Sequence, residues 1–270
     1  MNFHQKLNSA WTTSNSALCV GLDPDVSKMP THLRNDPLGI QKFCIDIVDA
    51  TADTVCAFKP QIAYFAAVGA EAQLQAVCDH VRTQYPHIVL ILDAKRGDIG
   101  NTSSMYARAF FKHMDFDAIT VAPYMGEDSL SPFFQFEGKW VICLGLTSNA
   151  GSKDFQILKV GETPLYLEVM RKVSQWGTNE QLMFVTGATK ASDLKALRVE
   201  FPQHFFLVPG VGAQGGTVKE VCDNALTDFG GLLINASRSI LYASSGTDYI
   251  EKASAEAQKL QEECQTAMGL

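Results

Sequence analysis

Short apolar runs alternate with amphipathic stretches along the whole chain, and this alternation limits the possible folds more than any other feature of the sequence. The runs are Ala17 to Leu22, Val55 to Phe58, Ile88 to Leu92, Ala118 to Val121, Val141 to Leu144, Leu182 to Val185, Phe205 to Val208 and Leu232 to Ile234. Helical periodicity fills the intervals over Ile40 to Thr54, Ala66 to Gln84, Thr102 to His113, Pro164 to Trp176, Ala191 to Phe201 and Gly216 to Asp228. A last helix runs from about Asp248 to Thr266, and only the fourth, about Ser129 to Phe136, is weakly written. A strand with no polar alternation is covered on both faces, which requires a parallel sheet flanked by helices. Eight such units in 270 residues match the size and count of an α/β fold of the (β/α)8 barrel type. A doubly wound open sheet is the competing architecture. With no break in composition, the expected organisation is a single domain over residues 1–270, with 1–16 as an N-terminal extension. The longest irregular connection, Thr147 to Thr163, is rich in Ser, Gly and Asn, as lids often are.

A chain of this length with a mean hydropathy of +0.01 can bury a full core without disulfides or metal. The net charge of −7 argues against a nucleic-acid or anionic-membrane partner and favours a small molecule. No window approaches the ~20 apolar residues of a membrane span, and the first sixteen residues lack a signal-peptide core. The seven cysteines form no C-x-x-C pair and sit mostly within apolar runs, so they read as reduced core thiols of a cytoplasmic protein.

In a parallel barrel the chemistry gathers at the carboxyl ends of the strands, and here those ends are charged. The first gives Gly21-Leu22-Asp23-Pro24-Asp25, the second Phe58-Lys59-Pro60, and the third Asp93-Ala94-Lys95-Arg96-Gly97-Asp98. The fifth gives Thr147-Ser148-Asn149, the seventh opens at Pro209-Gly210, and the eighth gives Asn235-Ala236-Ser237-Arg238. Asp93 and Lys95 are two apart, so an extended strand through both would point them to one face. Alternating charges are weak evidence for stability alone. A lysine ammonium ion among them, at Lys95, would be able to stabilise an adjacent carbanion and give it a proton. None of the six histidines is placed to compete for that role.

The segment Gly210-x-Gly212-x-x-Gly215 matches a dinucleotide fingerprint. However, the nearest following acid, Asp228, precedes the next strand rather than ending it, so a nicotinamide cofactor is not expected. The alternative is a phosphate cradle of backbone N–H groups, with Arg238 as a charged fork.

With these residues in view, the sequence resembles the orotidine 5'-phosphate decarboxylase family, in particular its longer bacterial branch. The resemblance runs from Gly21 to Tyr242 through G-L-D-P-D, F-K-P, D-A-K-R-G-D-I-G-N-T, A-P-Y-M-G, T-S-N, V-T-G-A-T, P-G-V-G-A-Q-G-G and S-R-S-I. It implies cofactor-independent, metal-free decarboxylation of orotidine 5'-phosphate to UMP in de novo pyrimidine biosynthesis. Lys95 would be the proton donor to C6, with Asp93 beside the substrate carboxylate and Lys59 and Asp98 completing the charge network. Asp98 and Thr102 would reach the neighbouring subunit's site, which implies a homodimer. Asp23 and Lys59 would contact the ribose. Ser148 and Gln214 would serve the base and phosphate side, and Pro209, Gly212, Ser237 and Arg238 the phosphate. Two features depart from the commoner family pattern. Arg96-Gly97 and Gly100 stand in the D-I-P-N-T region, and Ser237-Arg238 stands where many members have Gly-Arg.

Two other readings use the same residues. A magnesium-dependent decarboxylase of a 3-keto sugar phosphate would need metal-binding carboxylates where Lys59 stands. A catalytically silent barrel could bind a nucleotide phosphate for regulation.

Overall fold

The computed structural model describes residues 3–187, 191–211 and 216–269. Eight parallel strands form one closed barrel in which each strand lies beside its neighbours in sequence. They are β1 (Leu18–Leu22), β2 (Ala57–Pro60), β3 (Val89–Arg96), β4 (Ala118–Val121), β5 (Trp140–Leu146), β6 (Leu182–Thr186), β7 (Phe205–Pro209) and β8 (Leu232–Ala236). The fold is the expected (β/α)8 barrel. β2, β3 and β8 run beyond the apolar runs that mark them in sequence, because the backbone ladder continues through polar residues. Gly21 pairs with Lys59 and Leu22 with Pro60, and Gln61 bridges Asp93. The charged side chains of Lys59 and Asp93 therefore stand on paired backbone rather than on loose loops.

The chain divides into two compact groupings. One comprises Lys95–Ile234 together with Phe3. Its core holds Trp140, packed against Phe3 with ring centroids 4.4 Å apart and against Phe205 at 5.5 Å, along with Phe184, Phe206 and Phe133. Each such side chain contributes roughly 1.5–3 kcal/mol when fully buried. The other comprises His4–Ala94 and Asn235–Leu270. Here the helix Gly39–Thr51 buries Phe43, Ile47 and Val48, and the helix Tyr249–Met268 buries Ala253, Ala257 and Leu260. Phe43 stacks on both Tyr249 and Tyr242.

Several helices differ from the periodicity reading, each for a local reason. The stretch expected as one helix from Ala66 to Gln84 is two, Ile62–Ala66 and Glu71–Gln84. Gly69 at φ +66° ends the first, and the Ala70 N–H donates back to the Phe65 carbonyl. The helix expected from Thr102 begins at Gly100 and passes at Arg108 into a π-helical turn through His113. Thr147 to Thr163 is not wholly irregular: it contains the short helix Ser152–Phe155 and an antiparallel pair, Lys159–Val160 with Thr163–Pro164. Residues 3–14 of the expected N-terminal extension form a helix that buries Phe3, Leu7 and Ala10. All seven cysteines are buried thiols outside any disulfide among the described residues, and no described helix is long and apolar enough to cross a membrane.

Candidate active site

Within the grouping of residues 4–94 and 235–270, the structure brings Asp23, Lys59 and Asp93 together. Lys59 is 5% exposed and Asp93 8%, and Lys59 Nζ donates to Asp93 Oδ2 at 2.9 Å. Burial alone would push the lysine pKa down, but the Asp93 and Asp23 carboxylates outweigh it and hold Lys59 above its ordinary value as a firm ammonium ion. Cys19 lies in the same environment, and burial pushes its thiol up to about 12. Removing one partner of such a pair costs about 3–5 kcal/mol, whereas a well-packed apolar pair in its place is often neutral. The charges are therefore not explained by stability. Asp23 Oδ1 is buried with no hydrogen-bond partner among the described residues, an acceptor that suits a donor such as a hydroxyl.

The loop that carries Asp23 is fixed at several points. The Gln61 N–H donates to the Leu22 carbonyl at 3.1 Å. The Tyr242 hydroxyl donates to the Asp23 carbonyl at 2.6 Å and accepts from the Asp25 N–H at 2.6 Å. Asp25 Oδ1 accepts from both the N–H and the hydroxyl of Ser27, while Asp25 Oδ2 pairs with Lys28 at 3.1 Å. The end of β8 packs against β1 so closely that a Cβ on Gly21 would lie 1.9 Å from Ser237 Oγ. Glycine is required there, and it lets Ser237 occupy the place of a side chain. Asn235, 7% exposed, donates weakly from Nδ2 to Ser237 Oγ at 3.4 Å. Arg238 opens the short helix Arg238–Leu241 with its side chain in solvent.

Within Lys95–Ile234, the central residue is Lys95 itself. β3 runs through both Asp93 and Lys95 as expected, but Lys95 has φ +48°, so the regular alternation on which the same-face expectation rests does not hold at that residue. A left-handed backbone costs a non-glycine residue roughly 1–2 kcal/mol, and such outliers persist where the surroundings over-determine them. Here the Lys95 N–H donates to Thr120 Oγ1 at 2.9 Å, and the Ala122 N–H donates to the Arg96 carbonyl at 2.8 Å. Thr120 is 1% exposed, whereas the Lys95 side chain is exposed. Gly97 explains one departure from the commoner motif, because a Cβ there would sit 2.6 Å from the Ala122 carbonyl oxygen. Arg96 places its guanidinium 5.2 Å from the centre of the Tyr106 ring.

Asp98 is held by a reciprocal tie: its N–H donates to Ser103 Oγ, which donates back to the Asp98 carbonyl at 2.8 Å. Its carboxylate accepts from the Ile99 N–H. Thr102 lies in the first turn of the helix Gly100–Ala107 and is half-buried. Ser148 follows β5, where Gly187 approaches it so closely that a Cβ would lie 2.9 Å from the Ser148 nitrogen. Gln156 anchors the neighbouring Thr147 through two 2.8 Å bonds, one to its backbone and one to its hydroxyl. Pro209 ends β7 and Gly210 follows at φ +95°. The Val211–Gly216 bridge and the capping box of Thr217 with Glu220 fix the start of the next helix. Gly212 and Gln214 lie outside the described residues.

Three residues with evident work in these arrangements were given no role from sequence. Thr120 shows only as a polar residue inside an apolar strand. Asn235 is a polar residue at a buried strand end. Tyr242 lies more than two hundred residues from the loop it holds, and its chemical signal is weak.

Comparison with known proteins agrees with the fold. The profile of the orotidine 5'-phosphate decarboxylase / HUMPS family matches residues 16–253. The orotidine 5'-phosphate decarboxylase of Flavobacterium johnsoniae is 49% identical over 96% of this chain and 96% of its own. Among solved structures, the OMP decarboxylase of Leishmania donovani is 35% identical, with a TM-score of 0.80 over 97% of this chain and 99% of its own. The UMP synthase of Leishmania donovani is 38% identical with a TM-score of 0.81, and this chain spans 57% of that longer protein.

Proposed function

The chain belongs to the orotidine 5'-phosphate decarboxylase family, and from that premise we propose how its residues divide the reaction. The protein is a carbon–carbon lyase that decarboxylates orotidine 5'-phosphate in pyrimidine biosynthesis. In the proposed path the bond from C6 to the carboxylate breaks, the electron pair stays on C6 and CO2 leaves. The Lys95 ammonium then delivers its proton to C6 and is reprotonated from solvent. The vinyl-type carbanion has no conjugated sink, so the path relies on fixed charge rather than on a metal or cofactor. A single preorganised donor contributes about 3–4 kcal/mol, far less than a slow uncatalysed reaction needs. The rest is assigned to binding energy from the distant phosphate, through Arg238, Ser237, Pro209, Gly212 and Gln214. Asp93 is assigned to the substrate carboxylate and to Lys59, Asp23 and Lys59 to the ribose, and Ser148 to the base.

The observation that carries this reading is the exposed Lys95 side chain on a strained backbone pinned by a buried threonine. Lys95→Ala should abolish turnover of orotidine 5'-phosphate while leaving circular dichroism unchanged; retention of most activity would sink the assignment. Insensitivity to a chelator separates it from magnesium-dependent decarboxylation.

We further assign Asp98 and Thr102 to a homodimer in which each chain completes its partner's site. Ile99 and Met105, on either side of Thr102, are 60% and 54% exposed, and Tyr124 and Met125 are 94% and 49% exposed. Exposed apolar side chains on both sides of Thr102 in sequence support a partner there. Seven buried thiols support a reducing, cytoplasmic setting.

A further inference from the structure

The loop after β1 has to hold Asp23 still if that carboxylate is to recognise a ribose, yet Asp23 is followed by Pro24, which supplies no N–H to anchor it. The anchors lie on either side, and both run to one atom. The Tyr242 hydroxyl donates to the carbonyl of Asp23 and accepts from the N–H of Asp25, each at 2.6 Å. The ring behind that hydroxyl is fixed too: it stacks on Phe43 with the planes 10° apart, and Lys28 Nζ lies 5.6 Å from its centre. Tyr242 also ends the turn that Arg238 begins, its N–H donating to the Arg238 carbonyl at 3.2 Å. One residue thus links the backbone of the Asp23 loop to the backbone that carries Arg238.

We propose that Tyr242 is a positioning residue for the decarboxylation, acting through Asp23: its hydroxyl clamps the backbone on both sides of Pro24 and so sets where the Asp23 carboxylate meets the sugar of a nucleotide substrate. This rests on the assignment of Asp23 to the ribose. The phenol must keep its proton to serve as donor, and burial, with the nearby Asp25 and Asp23 carboxylates, raises its pKa above the ordinary tyrosine value. The clamp therefore stays closed across the neutral range.

Tyr242→Phe keeps the ring and its stack on Phe43 and deletes only the hydroxyl. Steady-state kinetics on orotidine 5'-phosphate would be measured for Tyr242→Phe, Asp23→Ala and the double variant, with thermal midpoints recorded alongside. Tyr242→Phe is expected to lower kcat/KM about tenfold, the effect of one or two net hydrogen bonds. In the Asp23→Ala background it should lower kcat/KM no further, because the residue it positions is gone. A Tyr242→Phe enzyme as active as the parent, beside an impaired Asp23→Ala enzyme, overturns the clamp and leaves Asp23 in the site. Additive losses in the double variant also overturn it, since Tyr242 would then act independently of Asp23. A fully active Asp23→Ala enzyme removes Asp23 from the site and the clamp with it.

Discussion

At Lys95 the backbone turns left-handed at φ +48°, a conformation that sequence rules reserve for Gly and, less often, Asn or Asp. It was not legible in the sequence, because lysine carries no such signal. What makes it tolerable is visible only in the fold: Thr120 Oγ1 meets the Lys95 N–H, and Gly97 lets the following chain lie against the Ala122 carbonyl. Thr120→Val keeps the shape and removes the acceptor. Losing that bond from a buried threonine should cost about 1–3 kcal/mol, and with Lys95 as the proposed proton donor the loosened lysine should lower kcat/KM by roughly tenfold, since small misplacements of a reacting group are expensive. Unchanged kcat/KM in that variant would show that the lysine is placed by other contacts. Asp23, Lys59 and Asp93 were legible one by one, because each directly follows an apolar run; the Lys59–Asp93 pairing needed the register of neighbouring strands.

The strands could be read from sequence because a doubly covered parallel strand is a continuous apolar run. Their polar ends could not, since the ladder continues where the apolar pattern stops. Helix interruptions such as Gly69 and the π-helical turn from Arg108 are settled by backbone conformation and packing rather than by periodicity. The junction between the helix Ala191–Glu200 and β7 shows what else the pattern conceals. Arg198, 8% exposed, donates to the carbonyls of Phe201, His204, Ala225 and Gly231 at 2.6–3.0 Å. Beside it, burial and then the Arg198 charge lower the His204 pKa from 6.5 to about 4. As pH falls through 6.5 the unfolded chain takes up this proton first, so stability declines from there until about pH 4, where the folded protein protonates as well. The loss should reach about 2 kcal/mol once partial exposure is allowed for. Urea unfolding of the parent and of His204→Phe at pH 7 and pH 5 checks it: the parent should lose more stability than the variant, and equal losses would place the titration elsewhere.

For the whole molecule, the proposed sharing of the site across two chains makes a test that a self-contained site would fail. Lys95→Ala and Asp98→Ala should each be inactive alone. Mixed, unfolded and refolded together, they should recover about a quarter of the parent activity, because half the dimers pair unlike chains and each such dimer has one intact site. No recovery would mean that Asp98 serves its own chain. The overall architecture was legible because eight repeats of one pattern leave few alternatives, whereas no pattern in the sequence marks an interface, and the dimer is expected there only from the family resemblance. The buried thiols have a bearing of a different kind. Burial raises Cys19 and Cys78 to about 12 and Cys264 to about 11, and thiolate is the form that alkylating reagents attack. Spread from β1 to the last helix, these sulfurs stay silent to such reagents until the segment around each one opens. The rate at which each becomes labelled is thus a local clock of breathing, built into the native sequence and readable without adding a probe.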